Sequence, residues 1–141
     1  MTTVNSDIFA AQIAGPIKFS QGVSDATLHC VTATYETSST AANTVINLFK
    51  LPKDVVVQNF VVAHDDLGTG ITLDIGDAGD ADRYVDGLDV ATAAGSTTGC
   101  LVDGLGYITG TDKVNDDTIV TATVLGGAAT GTLKVTCYYS M

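Results

Sequence analysis

Apolar and polar residues alternate along several stretches of this chain, a pattern that predicts half-buried β-strands. In the last such stretch every second residue from Leu133 to Tyr139 is apolar, and the residues between them, such as Lys134, are polar or amphipathic. Residues 55–64 are apolar on both faces, which predicts a strand in the middle of a sheet. The stretches predicted as strands are residues 28–35, 44–51, 55–64, 71–75, 118–125 and 132–139.

The segments between these strands predict how they are connected. Residues 36–43 form a polar link, and residues 52–54 form a turn that begins with proline. The glycine-rich segment 126–131 predicts a β-hairpin with a longer loop between the last two strands. With weaker candidates near Leu88, Cys100 and Ile108, the chain has about eight or nine short strands and no long amphipathic helix. We therefore expect an all-β fold, an antiparallel β-sandwich or jelly-roll-like domain.

The first 27 residues differ from the rest, because their apolar residues show no sustained alternation. Ser6 or Asp7 could cap a short helical turn over residues 6–14, and Gly15-Pro16 would end it. This divides the chain into an extended N-terminal arm, residues 1–27, and a β-sandwich domain, residues 28–141. The arm either covers its own core or reaches a neighbouring protein. Its candidate partner-binding residues are Ile8, Phe9, Ile13, Ile17 and Phe19.

Composition and charge narrow the possible functions. Hydrophobic residues make up 45% of the chain and charged residues 16%, which is typical of one folded domain. The net charge of −10 and the absence of a basic stripe argue against nucleic acid and anionic membrane surfaces as partners. No apolar run approaches the roughly 18 residues of a membrane span, and the N-terminus lacks the features of a secretory signal. We expect a soluble protein.

The three cysteines, Cys30, Cys100 and Cys137, cannot form a complete set of disulfides and show no CxxC spacing. Two of them fall within predicted strands, where a thiol packs as a small hydrophobic group. We expect reduced, mostly buried cysteines and synthesis in a reducing cytoplasm.

The segment from Asp74 to Asp89 is the most acidic part of the chain. Asp77, Asp80 and Asp82 could supply oxygen ligands to Ca²⁺, but no register fits an EF-hand, and the glycine-rich motif occurs once. A surface loop of successive turns, with Arg83 neutralising part of the charge, explains the composition better. We therefore expect no cofactor, with Ca²⁺ as the alternative.

Few residues suggest catalysis. His29 and His64 lie in or at the end of predicted strands, and His64 precedes Asp65 and Asp66. A strand-end histidine beside loop aspartates is more often structural than catalytic. The sequence has no GxSxG motif, no phosphate-binding glycine loop and no HExxH motif. These observations indicate a protein that is not an enzyme.

Three stretches of the sequence resemble a known family. They are residues 44–53, which end in Leu-Pro-Lys, residues 70–84, which contain Gly-Asp-Ala-Gly-Asp-Ala-Asp, and the ending from residues 117–124 to 131–135. They are similar to capsid decoration proteins of tailed bacteriophages, also called cement or head-stabilisation proteins, over roughly residues 28–139.

The resemblance implies a structural virion protein with no catalytic residues. Such proteins are β-sandwich protomers, often homodimers or homotrimers, which are made in the host cytoplasm. They bind the outer surface of the expanded capsid and stabilise the lattice of the major capsid protein, which is the implied partner. No residue of the N-terminal arm matches a motif of the family.

Two other functions are compatible with the sequence. A host-binding or glycan-binding β-module on a virion would use exposed aromatic residues, for which Tyr84, Tyr107, Tyr138 and Tyr139 are the candidates. An enzyme would need a pocket that holds His64 with Asp65 or Asp66.

Overall fold

The computed structural model describes residues 2–6, 9, 10, 13, 27–91, 94–110 and 118–141. These residues form two β-sheets, and Phe9, Ala10 and Ile13 are helical. The strands are β1 (Thr3–Asn5), β2 (Leu28–Thr40), β3 (Val45–Leu51), β4 (Val56–His64), β5 (Thr72–Gly76), β6 (Val85–Asp89), β7 (Gly95–Thr98), β8 (Thr118–Leu125) and β9 (Ala129–Ser140).

The strand order is that of a jelly roll with one added strand. One sheet has the order β2-β9-β4-β7, and the other has the order β1-β3-β8-β5-β6. From β2 to β9 the chain crosses to the opposite sheet after every strand except β5, which is followed in its own sheet by β6. All strand pairs are antiparallel except β1 with β3. The predicted all-β sandwich is confirmed.

The core lies between the two sheets. Leu133, Val135, Cys137 and Tyr139 of β9 are buried, as their alternation predicted. β4 lies between β9 and β7, which confirms the prediction that it is an inner strand. A bulge in β3 between Asn47 and Phe49 turns two successive residues, Leu48 and Phe49, into the core. The inward side of β3 therefore changes phase at this point, and strict alternation does not describe it.

The predicted polar link over residues 36–43 is wrong in its first half, because β2 continues to Thr40. Thr37 is buried despite its hydroxyl, since its Oγ1 donates a 2.7 Å hydrogen bond to the Gly131 carbonyl. Ser39, with a φ of 47°, lies where the register between β2 and β9 shifts. The strand is thus extended by polar residues whose hydrogen bonds stay within the molecule.

The predicted hairpin between the last two strands is also wrong. β8 pairs with β3 and β5, whereas β9 pairs with β2 and β4 in the other sheet. The backbone around residues 65–67 holds the start of β9, because Asp65 N donates to Thr132 O at 3.0 Å and Thr130 N donates to Leu67 O at 3.1 Å. Residues 126–128 are therefore a crossing between sheets.

No helix in the part of the chain that the structure describes combines the length and apolar character needed to cross a membrane.

Candidate functional site

The start of the N-terminal arm is part of the protein's own sheet. β1 runs parallel to β3, and Val45 N donates a 3.0 Å hydrogen bond to Thr2 O. Ser6 is buried, and its hydroxyl donates to the carbonyl oxygen of Leu48. Ser6 Oγ in turn accepts a 3.1 Å bond from Phe9 N, which confirms Ser6 as a helix cap.

The predicted partner-binding residues of the arm have different environments. Phe9 is buried, and the Lys50 ammonium lies 5.8 Å from the centre of its ring. Ile13 is 55% exposed and is available to another molecule. Ile8, Ile17 and Phe19 lie outside the described residues. Partner binding by these five residues therefore stays a prediction. Of the two that the structure describes, Ile13 is the one with an exposed side chain.

The acidic loop, residues 77–84 between β5 and β6, is organised around Asp77, which is buried. Its carboxylate accepts hydrogen bonds from the backbone of Gly79 at 3.0 Å and of Asp80 at 3.1 Å. The Arg83 guanidinium donates at 2.8 Å and 3.2 Å, and the Tyr84 hydroxyl donates at 2.9 Å. Asp77 thus joins the turn to two side chains that follow it, and Arg83 neutralises its charge as the sequence suggested.

The three candidate calcium ligands do not form a cluster. Asp77 is occupied by donors of its own loop, Asp80 is half-buried and Asp82 is exposed. Within the described residues no three His, Cys, Asp or Glu side chains are placed to hold a metal ion. The side-chain hydrogen bond with Asp80, followed by desolvation and the charges of Asp80 and Asp86, raises the pKa of Asp82. The expectation that no Ca²⁺ binds stays a prediction, which calorimetric titration can test.

Tyr84 connects the acidic loop to the core. Its ring is fully buried, stacks on Phe60 with ring centres 4.7 Å apart and meets Tyr107 edge-on at 6.3 Å. The Arg83 guanidinium covers Tyr107 at 4.1 Å from the ring centre. Burial, reinforced by the negative charge of Asp77, raises the pKa of Tyr84. The phenol therefore remains protonated and acts as a hydrogen-bond donor.

The loop formed by residues 99–110 packs directly on this arrangement. Leu101 N donates a 2.9 Å hydrogen bond to Tyr84 O, and Gly106 N donates a 2.8 Å bond to Val57 O. Gly104 lies so close to Tyr84 and Arg83 that an added Cβ would be 2.5 Å from the Tyr84 ring. Thr109 is buried, and its hydroxyl accepts a 3.1 Å bond from Val55 N. The 99–110 loop is thus held along its length.

This fixed loop carries a set of exposed apolar side chains, which we call the apolar loop patch. Four of the seven large hydrophobic side chains that are exposed in the described part of the chain lie in it. They are Leu101 at 44%, Val102 at 86%, Leu105 at 57% and Ile108 at 49% exposure. The short strands predicted near Cys100 and Ile108 fall at this loop, and no exposed apolar surface was predicted there. The signal in the sequence is an apolar run without alternation, interrupted by Asp103, Gly104 and Gly106.

The histidines are separated, and the aspartates beside His64 have structural partners. His64 Nδ1 lies 2.8 Å from the backbone oxygen of Asp65. The Asp65 carboxylate accepts a 2.9 Å bond from Thr132 N, and the Asp66 carboxylate accepts a 3.0 Å bond from Gly68 N. His29 stacks on Tyr139 near the other end of β9. The Asp66 carboxylate therefore stabilises its own turn, and the Asp65 carboxylate joins the end of β4 to β9.

The candidate glycan-binding tyrosines do not form an exposed aromatic surface. Tyr84 and Tyr139 are buried, and the ring of Tyr107 lies under Arg83. Tyr138 is half-buried.

The cysteines are free, as predicted, but only Cys137 is buried. Cys100 is half-buried and Cys30 is exposed, so the expectation of mostly buried thiols is wrong. Cys30 lies opposite Tyr138 in the register and shares its strand with buried Ala33 on the other face. Burial raises the pKa of Cys100 to about 11, so its thiol stays protonated at neutral pH.

Comparisons with known proteins add a relationship at the level of the fold. No protein-family model matches the chain, and no curated protein sequence matches it. Its fold is similar to those of chains in phage capsids. A chain of the Ralstonia phage GP4 capsid gives a TM-score of 0.70 at 23% identity, covering 98% of this chain and 97% of that one.

Two further capsid structures give the same result. A chain of the cyanophage Pam1 capsid asymmetric unit gives a TM-score of 0.67 at 21% identity, covering 89% of this chain and 94% of that one. A chain of the acidic stable capsid of Helicobacter pylori bacteriophage KHP30 gives 0.60 at 14% identity, covering 81% and 87%. The shared feature is the whole sandwich, since nearly all of each chain is matched.

Proposed function

We propose that this protein is a structural virion protein that decorates the outer surface of a phage head and stabilises the lattice of its major capsid protein. The observation that carries the proposal is the nearly end-to-end similarity to the chains of the GP4 and Pam1 capsids. Those chains have little beyond the domain present here. A function that needs only this sandwich is therefore favoured.

The physical properties of the chain support this proposal. A protein that binds only the assembled lattice stabilises that state by mass action. Homodimers or homotrimers, the oligomers that the sequence resemblance implies, would gain avidity from modest individual contacts. The net charge of −10 would give decorated particles a negative exterior, which keeps them apart in solution.

A non-enzymatic role is part of the proposal. The carboxylates next to His64 bond to backbone N–H groups, and the Tyr84 hydroxyl bonds to Asp77. These groups serve the fold, and the fixed 99–110 loop offers a surface for contact with another protein.

The test compares expanded capsids of the source virus that lack this protein with the same capsids after the purified protein is added. We expect decorated particles to lose their integrity at a higher temperature and a protease to reach the added protein from outside. Unchanged thermal stability despite binding would contradict the cement function. Adsorption to host cells or glycans without capsid binding would favour the host-binding module instead.

A further inference from the structure

The apolar loop patch is exposed although its backbone is fixed. Its loop is held to Tyr84 and Val57 by backbone hydrogen bonds, and Gly104 packs against the Tyr84 ring. Within the loop, Leu105 N donates a 2.9 Å bond to Leu101 O. Leu101, Val102 and Leu105 are thus presented to solvent by an ordered turn. Exposed apolar side chains grouped on one ordered loop are candidates for contact with another protein.

The apolar surface continues beyond the loop. Val56 forms a β-bridge with Ile108 and pairs with Ser140, which in turn pairs with Leu28. Residues opposite each other in register point to the same side of a sheet. Leu28, which is 61% exposed, therefore lies on the same side of this end of the four-stranded sheet as Ile108, with Ser140 and Val56 between them.

The surroundings of the patch are acidic. Asp103 is exposed within the loop, and Asp82 precedes Arg83, whose carbonyl lies against Gly104. Asp82 and Asp86 are exposed and Asp80 is half-buried, and all three lie within three residues of Arg83 along the chain, so several carboxylates flank the point where Arg83 meets the loop.

We propose that the apolar loop patch, Leu101, Val102, Leu105 and Ile108, is a surface by which this protein binds a capsid lattice protein, at an apolar site edged with lysine or arginine. The inference rests on the proposed function and names the contact that performs it. The negative charge of Asp82 and Asp103 favours this partner over a second copy of the chain. A second copy would bring its own Asp82 and Asp103 to the contact, and opposing like charges disfavour association.

The test uses the full chain with Val102→Asn and Leu105→Asn, each measured for binding to expanded capsids that lack this protein. Both positions are exposed, so we expect unchanged thermal unfolding and at least about tenfold weaker binding, because the uncharged amide removes apolar contact without adding a charge that a basic edge would attract. Thr69→Asn is the matched control, because it places the same side chain at an exposed residue in the loop beyond the opposite end of β4 and should bind like the wild type.

Each outcome distinguishes the patch from the proposed function. If the wild type binds and both patch variants bind equally well, the patch is not the contact, although the decoration function stands. If the wild type does not bind, both proposals fail. If the variants change the oligomeric state in analytical ultracentrifugation, the patch joins copies of the chain. Wild-type binding that weakens as salt rises supports the basic edge, and salt-independent binding would overturn it.

Discussion

At the scale of single residues, Asp77 explains why the acidic loop is ordered. The aspartate side chain is short enough for the Asp77 carboxylate to accept hydrogen bonds from the backbone of its own turn. The same carboxylate also accepts hydrogen bonds from Arg83 and Tyr84. The alternation of Gly and Asp in the sequence predicts such turns. It does not reveal which of the six aspartates from Asp74 to Asp89 is buried, because each of them has the same local chemistry and burial depends on how the turn lies against the sheets.

We expect Asp77→Asn to lower the free energy of unfolding by about 2–4 kcal/mol, since the amide removes the negative charge that pairs with Arg83 and one of the two oxygens that accept hydrogen bonds. Urea denaturation of the two proteins measures the difference. The matched control is Asp82→Asn, which changes an exposed residue of the same loop.

The contribution of Asp82 to the stability of the wild-type protein depends on pH, and its raised pKa gives the sign of that dependence. Because the pKa of Asp82 is raised in the folded protein, its favourable contribution is present at acid pH and is lost as the pH rises through that pKa. At neutral pH Asp82→Asn should therefore cost no stability. A loss as large as that of Asp77→Asn would show that the loop is not organised around Asp77.

At the scale of elements, the sequence predicts strands better than their partners. The alternation of apolar and polar residues predicts both β9 and the burial of the side of that strand that carries Leu133, because both depend on local spacing. It cannot separate a hairpin from a crossing, since the strands on either side of residues 126–128 look the same in both cases. Likewise, the three residues of β1 are too few to show a pattern, and they form a strand because β3 offers an edge.

Gly126 makes the crossing possible. Its φ is +92°, and a Cβ added there would lie 2.1 Å from the Gly70 carbonyl oxygen. We expect Gly126→Ala to destabilise the protein by at least about 2 kcal/mol, from backbone strain and from displacement of the facing loop. Thermal or urea unfolding measures the effect.

The control for Gly126 is Gly87→Ala. Gly87 also has a positive φ, +60°, but an added Cβ would meet nothing within 4 Å. It should cost about 1 kcal/mol, the strain of the backbone conformation alone. Equal losses at the two positions would mean that close packing at the crossing contributes nothing.

The N-terminal arm gives a second prediction at this scale. Deleting residues 1–20 would remove β1 together with any partner contact, so point variants separate the two roles. We expect Ile13→Asp to leave stability unchanged and to weaken capsid binding, whereas Phe9→Ala should cost about 3 kcal/mol because Phe9 is buried. Capsid binding by Ile13→Asp that equals wild-type binding would assign the arm a structural role only.

At the scale of the whole molecule, the composition and the spacing of the predicted strands along the chain are sufficient to predict the class of fold. Many short strands and no long amphipathic helix predict a sandwich, and the net charge of −10 argues against nucleic acid as a partner. The jelly-roll order depends on pairings between strands distant in sequence, such as β2 with β9, which local patterns do not encode. The apolar loop patch was missed for the same reason, because exposure is a property of the folded molecule.

The central claim is that the folded chain binds an assembled capsid. The most direct measurement is co-sedimentation of the purified protein with expanded capsids that lack it, with the bound copies counted at increasing protein concentration. We expect binding to saturate at a fixed ratio of copies to major capsid protein subunits. Absence of binding at every concentration, by a protein shown to be folded, would contradict the claim.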